Sequence, residues 1–267
     1  MISVALSALL LSAPPNPTQV QIMSSVSTFK AGEPFWVGVK VEIEEGWHTY
    51  YKNPGDSGLG TTVEWALPKG WKVSELKYPA PHKILLDGTI TFGYEKEVVY
   101  LAQITPPAQI SEHHVNIRGD VAMLVCLDSC LPADATVSLS LPRTDEAATR
   151  TENYSALQAI LATTPTKYPS TRQASYELHD ETMTFWVPKV ANADLSKYTF
   201  IADAPAVVDH KDPVTKVTAV KDLWKIEVKR SEFLVKGPDA INGAFYYLDE
   251  HGAPKNRGFA ISLKRKD

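Results

Sequence analysis

The chain contains only two cysteines, Cys126 and Cys130, which lie four positions apart in the segment VCLDSCLP at 125–132. Three intervening residues can bring the two Cα atoms within the disulfide range of about 4.4–6.8 Å if the loop turns. A disulfide that closes so small a loop stabilises a fold far less than a long-range bridge does. A bond that adds little stability, in a loop that we expect to be exposed, is typical of a labile, functional disulfide.

The chemistry that this pair favours is two-step thiol–disulfide exchange. One thiolate attacks the disulfide of a partner, a mixed disulfide forms, and the neighbouring cysteine resolves it to leave an internal bond. Asp128 lies between the two cysteines, and its carboxylate should raise the thiol pKa because it repels a thiolate. The sequence therefore favours a reductant over a strongly oxidising thiol.

Spacing alone leaves two other interpretations open. The pair could form a purely structural disulfide, as in many exported domains. It could also bind a metal together with His113 or His114, one predicted strand earlier. Adjacent histidines on a strand point to opposite faces, so only one of them could be a ligand. We predict no metal site.

Composition restricts the function further. The 267 residues, of which 44% are hydrophobic, are enough for two domains with real cores. The net charge of −4 and the absence of a basic stripe argue against a nucleic-acid partner. The sequence contains no phosphate-binding loop, dinucleotide fingerprint or serine elbow, and we expect no small-molecule cofactor.

The N-terminal residues 1–13 form an apolar run of the length found in secretory signals. The run is too short to cross a bilayer as a helix, which needs about 20 residues. We interpret residues 1–16 as an export signal and the rest of the chain as a soluble protein of the cell envelope.

The first half of the chain has the period-two alternation of a β-sheet. Turn residues separate the apolar segments, for example Asn53-Pro54-Gly55-Asp56. Several short strands at this spacing predict an antiparallel sandwich. The predicted strands are 35–43, 61–66, 97–104, 113–118 and 136–141.

The period-two alternation gives way to a helical pattern in the middle of the chain and later resumes. Residues 144–163 carry apolar side chains at helical spacing before Pro165, which predicts a linker helix of about five turns. Alternation resumes after Tyr168. We therefore predict an all-β protein with domains at 17–142 and 168–267, joined by a helical linker at 143–167. The later predicted strands are 182–187, 198–202, 215–220, 223–228, 243–248 and 259–263.

Four motifs in order along the chain give it a family resemblance: GWHTYYKNPGDSG at 46–58, YPAP at 78–81, FGYEKEV at 92–98 and VCLDSCLP at 125–132. With them the chain resembles the N-terminal periplasmic domain of DsbD-type thiol:disulfide interchange proteins, and the ScsB-like branch most of all. The resemblance covers roughly residues 17–265 and implies two immunoglobulin-like β-sandwiches, with the redox pair in the first.

The resemblance also implies partners and roles. A DsbD-like membrane protein would supply electrons, and thioredoxin-fold proteins of the periplasm would exchange disulfides with this one, as in a protein-disulfide reductase system. Cys130 would form the mixed disulfides and Cys126 would resolve them. Family members continue into a membrane domain, whereas this sequence stops at Asp267, so we expect a separately encoded donor or an altered use.

In relatives a loop with aromatic residues shields the cysteine pair. The matching stretch here is 84–94, with Phe92 and Tyr94 as shields and Tyr50 or Tyr51 as neighbours. The alternative from another class is a non-catalytic immunoglobulin-like binding module with a structural disulfide. An envelope metal chaperone is a second alternative.

Overall fold

The computed structural model describes residues 16–86, 88–191 and 193–266. The predicted export signal at 1–16 therefore lies almost wholly outside the described residues. Within those ranges no helix combines the length and the apolar character that crossing a membrane requires.

The first domain consists of short strands. They are β1 (Thr18–Ser24), β2 (Phe35–Ile43), β3 (His48–Gly55), β4 (Thr62–Ala66), β5 (Lys72–Val73), β6 (His82–Leu86), β7 (Thr89–Glu95), β8 (Glu97–Thr105), β9 (His114–Ala122), β10 (Leu124–Cys126), β11 (Cys130–Pro132) and β12 (Ala135–Pro142). Alternation in the sequence explains strands such as β2, whose residues at 35, 37, 39, 41 and 43 are buried in the core.

These strands pack as two layers. One layer has the order β1-β2-β8-β5; the other is formed by a three-stranded sheet, β12-β9-β4, and a five-stranded sheet, β11-β10-β3-β7-β6. Side chains from both layers share one hydrophobic core, which includes Val39 and Tyr100 from the first layer and Val121 and Val125 from the second. Strand β10 follows β9 after one residue, so these two consecutive strands connect the two sheets of the second layer.

The linker between the domains is less helical than predicted. The helix α1 covers Tyr154–Leu161, not the whole of 144–163. Residues before it run beside the start of the first domain, where Thr144 N donates to Phe29 O at 2.8 Å and Thr151 N donates to Ser25 O at 3.1 Å. These backbone hydrogen bonds replace the helical ones and delay the helix start.

The second domain is one sheet with the order β16-β19-β20-β14-β15-β18-β17, and β13 pairs with β20. The sheet curls over its own core, because Phe185 of β15 and Phe200 of β16 lie far apart in this order yet their ring centroids are 5.0 Å apart. The strands are β13 (Thr166–Lys167), β14 (Ala174–Leu178), β15 (Thr182–Pro188), β16 (Thr199–Ala202), β17 (Val214–Val220), β18 (Leu223–Lys229), β19 (Ala240–Tyr246) and β20 (Phe259–Arg265), with a 3-10 turn at Leu195–Lys197.

The predicted all-β architecture with two β-domains and one connecting helix is confirmed. The two domains are not independent, however, since Ile201, Ala244 and Tyr246 of the second domain belong to the core of the first. The segment Asn53-Pro54-Gly55, which the sequence predicts as a turn, continues strand β3 to the domain boundary.

Candidate functional site

Cys126 and Cys130 form a disulfide across the β10–β11 hairpin, with Cα atoms 4.1 Å apart. They are direct partners in the strand register. The hairpin turn consists of the residues between them, of which Leu127 is 47% exposed. The predicted pair is therefore joined within a single supersecondary unit at one edge of the five-stranded sheet.

The hydrogen-bond pattern of the hairpin explains why the two sulfurs meet. Leu127 N donates to Ser129 O at 3.3 Å, so these two residues form a hydrogen-bonded pair. Hydrogen-bonded and non-hydrogen-bonded pairs alternate along an antiparallel ladder, which makes Cys126 and Cys130 a non-hydrogen-bonded pair. Side chains approach most closely at such pairs, whose Cα atoms are about 4.5 Å apart.

The two cysteines have different surroundings. Cys126 is 3% exposed, because β10 is covered by β11 on one side and by β3 on the other. Cys130 is exposed, because β11 is the outermost strand. A reagent from solution therefore meets the sulfur of Cys130 first.

Tyr50 is the residue that binds the buried sulfur. Its hydroxyl donates to Cys126 Sγ at 2.7 Å and lies 3.5 Å from Cys130 Sγ. Burial raises the pKa of Tyr50, so the hydroxyl keeps its proton and remains a donor near neutral pH. Such a donor stabilises negative charge on Cys126 when the disulfide opens.

His48 lies beside Cys126 on the neighbouring strand. The two residues are register partners, and Glu95 is the partner of His48 on the next strand. The His48 ring contacts the Tyr50 ring edge-on, with centroids 5.3 Å apart. Burial lowers the pKa of His48, and the nearby Glu95 carboxylate partly offsets this effect by raising it. The ring is therefore neutral at neutral pH and able to accept a proton.

The other three aromatic candidates lie on the opposite face of the sheet. Side chains alternate between faces along a strand, so Tyr51 points away from its neighbour Tyr50. Tyr51, Phe92 and Tyr94 all belong to the hydrophobic core of the first domain. The Tyr51 hydroxyl lies 3.0 Å from that of Tyr246, and the Tyr94 hydroxyl donates to Pro79 O at 2.8 Å.

The stretch 84–94, predicted to be a shielding loop, is instead a hairpin of β6 and β7. In the sheet order β11-β10-β3-β7-β6 this hairpin lies on the far side of β3 from the disulfide. Its strands pair in regular register, as shown by Lys83 with Phe92. Core packing and strand pairing thus occupy the residues that the resemblance suggested as a cap.

A different segment, 56–60, covers Tyr50, and we call it the cover loop. Gly58 has a φ of +99°, and a Cβ built on it would lie 2.2 Å from the Tyr50 ring. A Cβ on Gly60 would lie 2.6 Å from Lys52 O, so the loop folds back onto β3. Sequence reasoning missed this loop, although the two closely spaced glycines indicate close backbone approach.

The histidines considered as metal ligands lie away from the sulfurs. His113 and His114 are both exposed, and His114 begins β9 whereas the disulfide follows the end of that strand. Eight extended steps separate His114 from Ala122, which is about 26 Å of strand. The geometry gives no support to a site that combines these histidines with the cysteines.

Comparisons with known proteins bear on the family and on the fold. Residues 17–142 match the family model described as "Thiol:disulfide interchange protein DsbD, N-terminal". The fold resembles the N-terminal periplasmic domain of ScsB from Proteus mirabilis, at 18% identity and a TM-score of 0.62, over 96% of this chain and 97% of that one. The DsbD N-terminal domain of Neisseria meningitidis in its reduced form matches at 13% identity and a TM-score of 0.30, over 49% of this chain and 91% of that one. A search of curated proteins found no match.

Proposed function

We propose that this protein exchanges disulfides with partner proteins through Cys126 and Cys130, because residues 17–142 match the family model of the DsbD N-terminal domain. The observation that carries the proposal is the asymmetry of the disulfide. One cysteine is exposed on an edge strand, and the other is buried and accepts a hydrogen bond from Tyr50. This is the division that an attacking and a resolving cysteine require.

The proposed reaction starts from the reduced pair. The Cys130 thiolate attacks one sulfur of a partner disulfide, and the other partner sulfur leaves as a thiolate. Cys126 then attacks the Cys130 sulfur of the mixed disulfide and expels the second partner thiolate. The partner disulfide gains two electrons, and the Cys126–Cys130 bond forms again.

Tyr50 and His48 assist the resolving cysteine in this scheme. The Tyr50 hydroxyl donates to Cys126 Sγ and so lowers the energy of its thiolate. Neutral His48, beside Cys126 in the register, accepts the thiol proton before the attack. The Tyr50 hydroxyl lies nearer to the buried sulfur, at 2.7 Å from Cys126 Sγ, than to Cys130 Sγ, at 3.5 Å.

The partners that suit this chemistry are thioredoxin-fold proteins, with a DsbD-like membrane protein as the electron donor. The compartment is the periplasm, where a protein disulfide reductase component meets oxidised substrates. An export signal at 1–16 would deliver the chain there. The family match supports this assignment, and the expected reductant character of the pair favours electron flow from this protein to its oxidised partners.

Trapping with Cys126→Ser tests the proposal. Without its resolving cysteine, Cys130 should remain bonded to a partner, giving a mixed disulfide that a reductant releases on a gel. The matched control is Cys130→Ser, which keeps the buried thiol and should trap nothing. The wild-type pair should also equilibrate with glutathione at a measurable potential.

A structural disulfide gives the opposite results. Its potential would lie below about −300 mV, and it would resist physiological dithiols. If Cys126→Ser forms no mixed disulfide with any thioredoxin-fold protein of the envelope, the exchange function is wrong. The non-catalytic binding module then becomes the better description.

A further inference from the structure

The segment that follows Tyr50 contacts the second domain. Within β3, Tyr50 faces the disulfide, whereas the next residue, Tyr51, reaches the second domain at Tyr246. Lys52 then pairs with Asp203 at 2.5 Å. One strand therefore contacts the disulfide with its first half and the second domain with its second half.

Asn53 fixes the end of this strand. Its side chain is fully buried, and its amide nitrogen donates to Ala202 O at 2.8 Å and to Ala204 O at 3.3 Å. Its amide oxygen accepts from Gly55 N at 3.1 Å. The two hydrogen bonds that Asn53 donates thus cross the domain boundary, whereas the one that it accepts stays within the first domain.

Asp56, the first residue of the cover loop, is held from both sides. One carboxylate oxygen accepts from Ile90 N at 2.7 Å within the first domain. The other accepts from His210 Nδ1 of the second domain, also at 2.7 Å. The His210 side chain is 9% exposed, and its ring contacts Phe92 edge-on with centroids 5.7 Å apart.

The cover loop connects this anchor to the disulfide. It begins at Asp56, which His210 holds, and two residues later Gly58 lies against the Tyr50 ring. The Tyr50 hydroxyl in turn binds Cys126 Sγ. Contacts from His210 to Asp56, from Gly58 to Tyr50 and from Tyr50 to Cys126 thus connect the second domain to the buried sulfur.

We infer that the second domain positions Tyr50 at the buried sulfur by holding the cover loop through the His210–Asp56 contact. His210, Asp56 and Asn53 are positioning residues, because none of them touches the sulfurs. The inference assigns the NPGDSG motif at 53–58 to domain coupling rather than to redox chemistry. It rests on the redox function proposed above.

The experiment measures how fast dithiothreitol reduces the disulfide in the full chain. Dithiothreitol attacks the exposed Cys130 sulfur and expels Cys126 as a thiolate, which Tyr50 stabilises. His210→Ala removes the anchor of the cover loop, so the hydrogen bond from the Tyr50 hydroxyl to Cys126 Sγ forms less often. Reduction should therefore slow by about five-fold. His210→Asn places an amide donor near the position of Nδ1 and should restore the rate.

A double-mutant cycle shows whether the effect passes through Tyr50. In a Tyr50→Phe background the hydrogen bond to sulfur is already lost, so His210→Ala should cause no further slowing. Lys83→Ala is the matched control, since it removes another contact between the domains, from Lys83 Nζ to Lys211 O, on strand β6. That variant should reduce at the wild-type rate.

Two results would overturn the inference. His210→Ala could leave the rate unchanged, which would show that the loop needs no anchor from the second domain. It could also slow reduction equally with and without the Tyr50 hydroxyl, which would show a general loss of structure. Because dithiothreitol reduces structural disulfides too, this assay remains informative even where trapping of a protein partner fails.

Discussion

The disulfide links strands β10 and β11, yet the two strands give its two cysteines opposite surroundings. β10 lies inside the sheet between β11 and β3, whereas β11 pairs with β10 alone among the strands of the described residues. Burial, the Tyr50 hydroxyl and the His48 ring all belong to the β10 side. The comparison shows that position within a sheet is enough to give two cysteines four residues apart different burial and different hydrogen-bond partners.

Pro132 fits the edge position of β11. It pairs with Leu124, two residues along the ladder from the cysteine pair, and so occupies another non-hydrogen-bonded position. Its missing N–H would have pointed to the free edge, where proline costs no ladder hydrogen bond. A proline there also discourages pairing with the edge of another molecule. The edge of β11 is thus protected from pairing with another chain while Cys130 stays accessible.

Alkylation of single-cysteine variants should show the largest difference between the two strands. In reduced Cys126→Ala, the remaining Cys130 thiol is exposed and should react quickly with iodoacetamide. In reduced Cys130→Ala, the Cys126 thiol is covered and should react on the order of 100-fold more slowly. Mass spectrometry of timed samples measures both rates. Equal rates would mean that the hairpin opens on reduction and that the asymmetry belongs to the oxidised form alone.

Tyr50→Phe should sharpen the comparison by removing the donor from the β10 side. A hydrogen bond to a charged group contributes about 1.5–3 kcal/mol, so its loss should raise the pKa of the Cys126 thiol by about one to two units. The thiolate absorbance at 240 nm, followed against pH in a Cys130→Ala background, measures this change.

Tyr51→Phe is the matched control for that variant. It removes a neighbouring hydroxyl that lies 3.0 Å from Tyr246 on the other face of the sheet. We expect it to lower the free energy of unfolding by about 1 kcal/mol and to leave the thiol pKa unchanged. If both variants shift the thiol equally, the effect of Tyr50 is structural and not a direct contact with sulfur.

Much of this fold is predictable from the sequence because alternation dominates it. The predicted strand at 35–43 coincides with β2, and the segment 223–228 lies within β18. The spacing of Cys126 and Cys130 predicts that the two cysteines can form a disulfide. In each case the information is local, since a period of two or a short loop can be recognised without knowledge of the tertiary structure.

Strand β3 and the cover loop could not be predicted in this way. All residues of β3 except Lys52 are buried, so the strand lacks the alternation of a half-exposed one. Asn53-Pro54-Gly55 is typical of a turn, but the second domain satisfies the Asn53 amide and keeps the chain extended. The sheet face to which Tyr50 points, and the opposite face to which Tyr51 points, depend on the strand register, which the sequence does not give.

The pH dependence of stability should show the smallest effect, and it tests the burial of His48 on the β10 side. Burial lowers the pKa of folded His48, and Glu95 only partly offsets this. In the unfolded chain the pKa is about 6.5, so between the two values the unfolded state binds more protons. The free energy of unfolding is therefore greatest above about pH 6.5 and decreases as the pH falls through that value towards the folded pKa.

Chemical denaturation at several pH values measures the slope of the free energy of unfolding against pH, and His48→Gln should reduce this slope because glutamine does not titrate. An unchanged slope would mean that His48 is as well solvated in the folded protein as in the unfolded chain, and that Cys126 lacks the neutral neighbour that distinguishes it from Cys130.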